Sequence, residues 1–281
     1  MINSGEIKQI ARNKLSGNWA KAFSVTAIFV AINLIISYCS VLIRNITTEI
    51  PILYHLALII FALITIPLSF GFISSIVKLL NGKNISYTTI IDDALLNTSK
   101  TIGIFFRTFF KMLIPSIIVI FGCISIFFLV THVLPFNITS LAEYILLIFI
   151  LYIVAIILIA ILSIPYVLST YALANNNELS SKEALEKSID LMNGNKWNFV
   201  KLMFSFLGWL ILVAIIVIGI QKFVPNILKT LIESLGSLAI LPYIISSIAV
   251  FYDELNDVKI ETVDINTDNK TIENSEDSKK N

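Results

Sequence analysis

Six apolar stretches divide the chain, at Ala22–Ile43, Ile52–Val77, Met112–Leu134, Leu141–Tyr171, Leu202–Ile220 and Leu231–Phe251. Each reaches the length that a membrane-crossing helix needs, about 20 mostly apolar residues. The runs are continuous, whereas a barrel strand alternates over about 10 residues. The pattern therefore predicts helices, which satisfy their own backbones in lipid. The first run exceeds the core of a signal peptide, and no small-residue cleavage site follows it, so it reads as the first membrane helix.

Segments with a different rhythm stand before the first, third and fifth runs. Ser4–Leu15 sets Ile7, Ile10, Ala11 and Leu15 on one helical face. Ser86–Leu96 does the same with Ile90, Ile91, Ala94 and Leu95, and Ser181–Met192 with Leu185, Ile189 and Met192. Spacings of three, four and seven describe short helices with one apolar stripe. Ser180 with Glu183 forms a capping-box signature, and Gly17 and Gly194 stand where a helix ends in the left-handed conformation. Such helices either lie in the inner membrane interface or pack beneath the bundle.

The second helix of each predicted hairpin carries a proline followed by hydroxyls. These are Pro67 with Ser69, Ser74 and Ser75, Pro165 with Ser169 and Thr170, and Pro242 with Ser246 and Ser247. Pro115 is a fourth candidate for a helix kink. The repetition suggests three units of interfacial helix plus hairpin, at residues 1–80, 81–175 and 176–255. Together they make one all-α polytopic domain of six membrane helices over residues 1–255.

Composition supports a membrane solvent. The chain is 57% hydrophobic and 14% charged, with a mean hydropathy of +0.87, far below the charge of roughly 25% that covers a soluble domain. The charge is also one-sided. Of the 20 Lys and Arg residues, only Arg44, Lys222 and Lys229 fall in the connections on one face of the predicted bundle. The positive-inside rule then places both termini and the short helices in the cytoplasm, with the spans in the cytoplasmic membrane. Trp19 and Trp197 stand just before spans on that side, as headgroup anchors. Residues 256–281 are acidic and poor in apolar groups, which predicts a disordered cytoplasmic tail. The lipid bilayer is thus an expected partner. The basic residues are spread along the membrane side, which gives no nucleic-acid surface.

Candidate chemistry is sparse. His55, His132, Glu143 and Glu233 lie near the outer ends of their runs. Two His and two carboxylates suit zinc where they converge, but nothing in their spacing brings them together. Asn33, in mid-run, is expected to bond a neighbouring helix, and Cys39 and Cys123 to be small buried hydrophobes. Gly71 with Ser75 and Ala27 with Ala31 permit close helix approach. Asp92 and Asp93 read as acids near a helix N-terminus. Metallopeptidase, hydrolase and P-loop signatures are absent from the sequence. The expectation is a non-enzymatic protein with no catalytic residue, cofactor or metal.

The third unit carries the most specific motifs. Ala174 to Ser180 is followed by Glu183-Ala184-Leu185, then by Gly194-Asn195-Lys196-Trp197, Gly208-Trp209, Pro242-Tyr243 and Phe251-Tyr252. With Gly17-Asn18-Trp19 near the start, the chain resembles the bacterial integral-membrane family catalogued as domain of unknown function 975, over about residues 5–255. The family commonly has an Asp and a Pro where this chain has Asn175–Asn177, and a short glycine-rich connection where it has Gln221–Gly236. The resemblance implies a multi-span helical protein and supplies no activity, substrate or catalytic residue. The expected role is interaction with a membrane or cytoplasmic protein, as a subunit or accessory. The alternative is a transporter or lipid-handling protein built on the proline kinks.

Overall fold

The computed structural model describes residues 3–133, 140–221, 223–224, 232, 234–236, 238 and 240–259. Among these residues the secondary structure is helical, with no strand. The helices are α1 (Ser4–Leu15), α2 (Trp19–Ile46), α3 (Pro51–Leu80), α4 (Thr89–Leu96), α5 (Thr98–Phe128), α6 (Leu141–Ser163), α7 (Ser169–Asn175), α8 (Ser181–Met192), α9 (Lys196–Phe204), α10 (Leu207–Gln221) and α11 (Ser234–Lys259). A π-helical turn, Leu129–Val133, continues α5, and a 3-10 turn, Ile164–Tyr166, follows α6. Six helical stretches among the described residues are long and apolar enough to cross a membrane. The protein is an all-α, multi-pass membrane protein.

Burial is uneven along these stretches. On α3, Ile52, Leu53, Leu56, Ile59, Ile60 and Ile64 are exposed, whereas Phe70, Phe72, Ile76, Val77 and Leu79 are buried. No residue of α6 is buried, but Ile164, Leu168, Tyr171, Ala172 and Leu173 beyond it are. On α11 burial is dense from Ser246 to Tyr252. The change falls beside Pro67, Pro165 and Pro242. On α3 and α6 the side of the proline away from that burial is an exposed apolar rod. The other side belongs to a packed base.

The short helices complete that base. α1 buries Ile7, Ala11 and Leu15, α4 buries Ile90 and Ala94, and α8 buries Ala184, Leu185, Leu191 and Met192. Peptides of 12 residues or fewer are marginal as isolated helices in water, so their helicity depends on this packing. Each buried Ile or Leu contributes about 1.5–3 kcal/mol relative to exposure. α4 lies across α3, and α8 across α7 and the 3-10 turn before it. α1 meets α11, where Tyr243 Oη donates to the Lys8 carbonyl at 3.2 Å and Lys14 pairs with Asp253 at 3.3 Å. Each short helix is thus held by the inner half of a long helix.

Several expectations are corrected. The third span begins at Thr98, not Met112, because Thr101 and Ile104 on the charged approach pack inward and extend the helix. Lys100, Arg107 and Lys111 therefore sit on that helix. The fourth is broken at Ile164–Tyr166, and the fifth starts at Lys196 and breaks between Phe204 and Leu207. Pro165 accompanies a break, while Pro67 and Pro115 lie inside continuous helices. Pro242 also lies within a helix, α11. Residues 256–259, expected in the tail, are the last turn of α11. The rest of the tail lies outside the described residues. α1 is capped by Asn3, whose side chain accepts from Gly5 N at 3.0 Å. Ser86 forms a turn ahead of α4, donating its N–H to Thr89 Oγ1 at 2.9 Å.

On α4 the apolar residues divide between two faces. Ile90 is 0% exposed, whereas Ile91, Leu95 and Leu96 are exposed, Leu95 at 70%. One face enters the base and the other stays exposed.

A tight helix crossing falls at Gly71. A Cβ built there would stand 2.0 Å from the Ile90 carbonyl oxygen, a rigid backbone atom. Gly71→Ala is expected to push α4 off α3, cost about 1–3 kcal/mol and lower the thermal midpoint of the detergent-solubilised protein. Gly122→Ala, whose added Cβ meets nothing within 4 Å, leaves that midpoint in place.

Candidate functional site: the packed base and its aromatic cleft

The turns that lead into the long helices have a common geometry. Asn18, Asn97 and Asn195 stand at the N-cap positions of α2, α5 and α9, without a capping side-chain bond, at φ/ψ of −118/7, −110/14 and −109/2. Ahead of α2 and α9 the chain turns through Gly17 and Gly194, at φ 80 and φ 78, a left-handed conformation that disfavours other residues. Hydrogen bonds repeat at matching offsets. Ser16 N reaches the Asn13 carbonyl and Asn18 N that of Leu15, while Asn193 N reaches Asp190 and Asn195 N reaches Met192. Gly17 and Gly194 therefore act as the sequence predicts.

Between α3 and α4 stands a buried ion pair that the sequence pattern misassigns. Lys78 Nζ donates to both carboxylate oxygens of Asp93, at 2.6 and 2.7 Å, and Ser74 Oγ donates to Oδ2 at 2.7 Å. The Asp93 side chain is 6% exposed and that of Lys78 25%. Asp93 thus anchors one helix to another rather than serving a helix end. Its spacing from Ile90 and Asn97, both buried, is the signal that places it on the inward face.

A cleft of about 540 Å³ opens where α1, α2, α10 and α11 meet. Lys8 and Arg12 line it from α1, Trp19 and Phe23 from α2, Phe206 and Trp209 from the start of α10, and Ile240 and Tyr243 from α11. Lys8 Nζ donates to the Ser205 carbonyl at 3.5 Å, where α9 ends, and lies 5.4 Å from the centre of the Phe206 ring. Arg12 donates to Tyr243 Oη at 3.4 Å, with its guanidinium 6.0 Å from that ring. Tyr243 also packs against Trp19 at 6.3 Å and Phe206 at 5.3 Å. Trp19, expected as a headgroup anchor, is half-buried in this aromatic group; Trp197 is 73% exposed. Lys196 and Trp197 open α9, and Gly208 opens the first turn of α10 with no atom near its absent Cβ.

A second cleft, of about 320 Å³, lies between α3, α5 and the 3-10 turn with α7. Hydroxyls of Ser69, Thr101, Thr108, Ser169 and Thr170 line it beside Ile66 and Tyr166. Three of them donate to nearby carbonyls of their own segments: Ser69 to Thr65, Thr101 to Asn97 and Thr98, and Ser169 to Tyr166.

The remaining candidates are engaged locally. His55 Nδ1 lies 2.7 Å from the Pro51 carbonyl, and His132 Nδ1 lies 2.6 Å from Thr131 Oγ1. Glu143 accepts from Ser140 N at 3.1 Å in a capping box with the same S-x-x-E spelling as Ser180–Glu183. Glu233 lies outside the described residues. Among the described residues no three His, Cys, Asp or Glu side chains come together. Asn33 donates to Phe29 of its own helix at 2.8 Å, not to a neighbouring one. Cys39 and Cys123 are half-buried free thiols. Ala27 and Ala31 are exposed, so of the two small-residue pairs only Gly71 makes a close approach within the chain.

The family model for proteins of unknown function (DUF975) matches residues 1–259. The chain belongs to the DUF975 family. The match runs from α1 to the last residue of α11 and so covers both the base and the long helices. Neither a curated protein nor a solved structure matches the chain. Trp19, Trp209 and Tyr243, three of the residues on which the resemblance was drawn, meet in the 540 Å³ cleft, which sequence distance had hidden.

Asp93→Ala leaves Lys78 in the base without its partner. Lys78 is a quarter exposed and can turn toward solvent, so the expected loss is about 2–3 kcal/mol, below that of a fully buried pair. Thermal unfolding of Asp93→Ala, Lys78→Ala and the double variant measures the coupling, and the double variant is expected to lose less than the sum of the two.

Hydrogen bonds from the Ser180 backbone and hydroxyl hold the Glu183 carboxyl below its ordinary value. Its contribution to the α8 cap is present above the unfolded carboxylate range and is lost as pH falls through the depressed folded value. The protection factors of the Ser180 and Glu183 amides, corrected for the pH dependence of intrinsic exchange, are expected to fall on acidification across that window, and Glu183→Gln to remove this dependence.

Proposed function

We propose that this DUF975 protein is a non-enzymatic component of a bacterial cytoplasmic membrane, with both termini in the cytoplasm, and that it acts as an accessory subunit through contacts with another protein. The supporting observation is the α5–α6 hairpin. None of the most apolar 18-residue window of either stretch is buried. Phe106, Phe110, Ile118 and Phe121 on α5, and Ile145, Phe149 and Tyr152 on α6, all stand exposed. A hairpin attached to a rigid base, with both walls open, suits a helix-on-helix partner in the bilayer, where close packing replaces the hydrophobic drive. The common turns at Asn18, Asn97 and Asn195 support a design of three related units.

A second reading, transport or lipid handling, is favoured by the hydroxyl-lined cleft beside Pro67 and Pro165. Three of its hydroxyls already bond to backbone carbonyls, and no Asp, Glu, Lys, Arg or His lines it.

Purification from native membranes through a C-terminal tag, in mild detergent with mass spectrometry, tests the proposal. A stoichiometric protein partner is expected, and its retention is expected to fall when Phe110, Ile118 and Phe121 are changed together to Ala. A protein recovered alone with a specific solute would contradict the subunit reading and favour transport.

A further inference from the structure

We infer that the cleft between α1 and α11 is a binding site for the headgroup of an anionic phospholipid. The inference rests on the membrane-spanning architecture but not on the subunit reading. Lys8 and Arg12 bring two positive charges to one wall, spaced four residues apart on α1. Among the described residues neither of them takes part in an ion pair. Asp253, the acid that α1 does meet, is paired with Lys14. The two cations are instead held by neutral groups: a carbonyl, a phenol oxygen and the faces of Phe206 and Tyr243. These contacts fix their positions without supplying a counter-charge from the described residues.

The rest of the cleft names the kind of anion. Trp19 and Trp209 supply amphipathic walls, the side chains that settle at headgroup depth. Trp209 is 59% exposed, and Leu210 and Ile211 beyond it on α10 are exposed as well. Just past Tyr243 on α11 the chain enters the packed base. The cleft therefore sits where the lipid-facing halves of the helices meet the base, with cations on the base side and apolar surface on the other. A phosphodiester needs the first and its glycerol and acyl chains need the second. The volume, about 540 Å³, falls within the range of about 300–1,000 Å³ that small-ligand sites occupy. Basic pockets between membrane helices on the cytoplasmic side hold anionic headgroups through the same pairing of charge and depth. A free phosphate would use Lys8 and Arg12 but leave the tryptophan walls without a role.

The test uses the full chain in detergent with added phosphatidylglycerol, phosphatidylcholine or inorganic phosphate. Native mass spectrometry reads bound lipid, and thermal unfolding reads protection. Phosphatidylglycerol is expected to be retained at one per chain, roughly tenfold better than phosphatidylcholine given two basic contacts. Lys8→Gln/Arg12→Gln is expected to abolish that preference, while Lys83→Gln/Lys182→Gln, an equal charge change at exposed positions, keeps it. Equal retention of the two lipids by the natural chain would overturn the inference, as would a preference surviving in Lys8→Gln/Arg12→Gln. Protection by inorganic phosphate equal to that by phosphatidylglycerol would make this a soluble-anion site and overturn the lipid assignment. Should the cleft variant fail to fold, a photoactivatable phosphatidylglycerol on the natural chain decides. Adducts on Trp19–Phe23 or Phe206–Trp209 support the site, and adducts confined to α5 and α6 contradict it.

Discussion

The burial of short helices against the inner halves of long ones is the interaction on which the rest of this structure depends. Within lipid an apolar side chain gains little by leaving one apolar neighbour for another, so spans alone hold one another weakly. In the base, burial removes apolar surface from water and headgroups, and the full hydrophobic contribution returns. The distribution of buried residues follows that difference. The apolar windows of α5 and α6 contain none, whereas α1, α4, α7 and α8 each contribute several.

Polar groups then fix how the base fits together. Lys78 and Asp93 set α4 on α3, Ser188 Oγ donates to the Pro165 carbonyl at 2.7 Å and sets α8 against the 3-10 turn, and Ser181 Oγ donates to the Lys100 carbonyl at 2.9 Å and joins α8 to α5. Each is a bond between segments that apolar packing alone would allow to slide. Gly71 and Gly103 permit the two approaches; a Cβ on Gly103 would stand 2.4 Å from Ser181 Oγ. The same construction creates the cleft, because α1 bridges the start of α10 and the middle of α11 while Lys8 and Arg12 meet no carboxylate among the described residues.

Most of the architecture was legible in the chain, for reasons that particular residues make plain. The long apolar runs leave no option but helices, and α8 was located end to end because Ser180, Glu183 and Gly194 mark both its ends. α4 was placed too early because Ser86 resembles a cap yet forms the turn ahead of the helix. The approach to the third span looked like a loop because Lys100, Arg107 and Lys111 outweigh the stripe of Thr101 and Ile104. Asp92 disguises Asp93 as a second helix-end acid, although the spacing of Asp93 from Ile90 points inward. The cleft was beyond sequence reasoning. Its walls come from residues about 200 positions apart, and its two cations were indistinguishable from the other basic residues of that side.

Oxygen accessibility of spin labels along Leu158–Ala174, with the protein in lipid nanodiscs, tests the division between lipid-facing rods and packed base most directly. The account predicts high accessibility through Leu162 and a sharp fall from Ile164 onward, as the chain passes Pro165 into the base. Accessibility that stays high through Ala174 would contradict it.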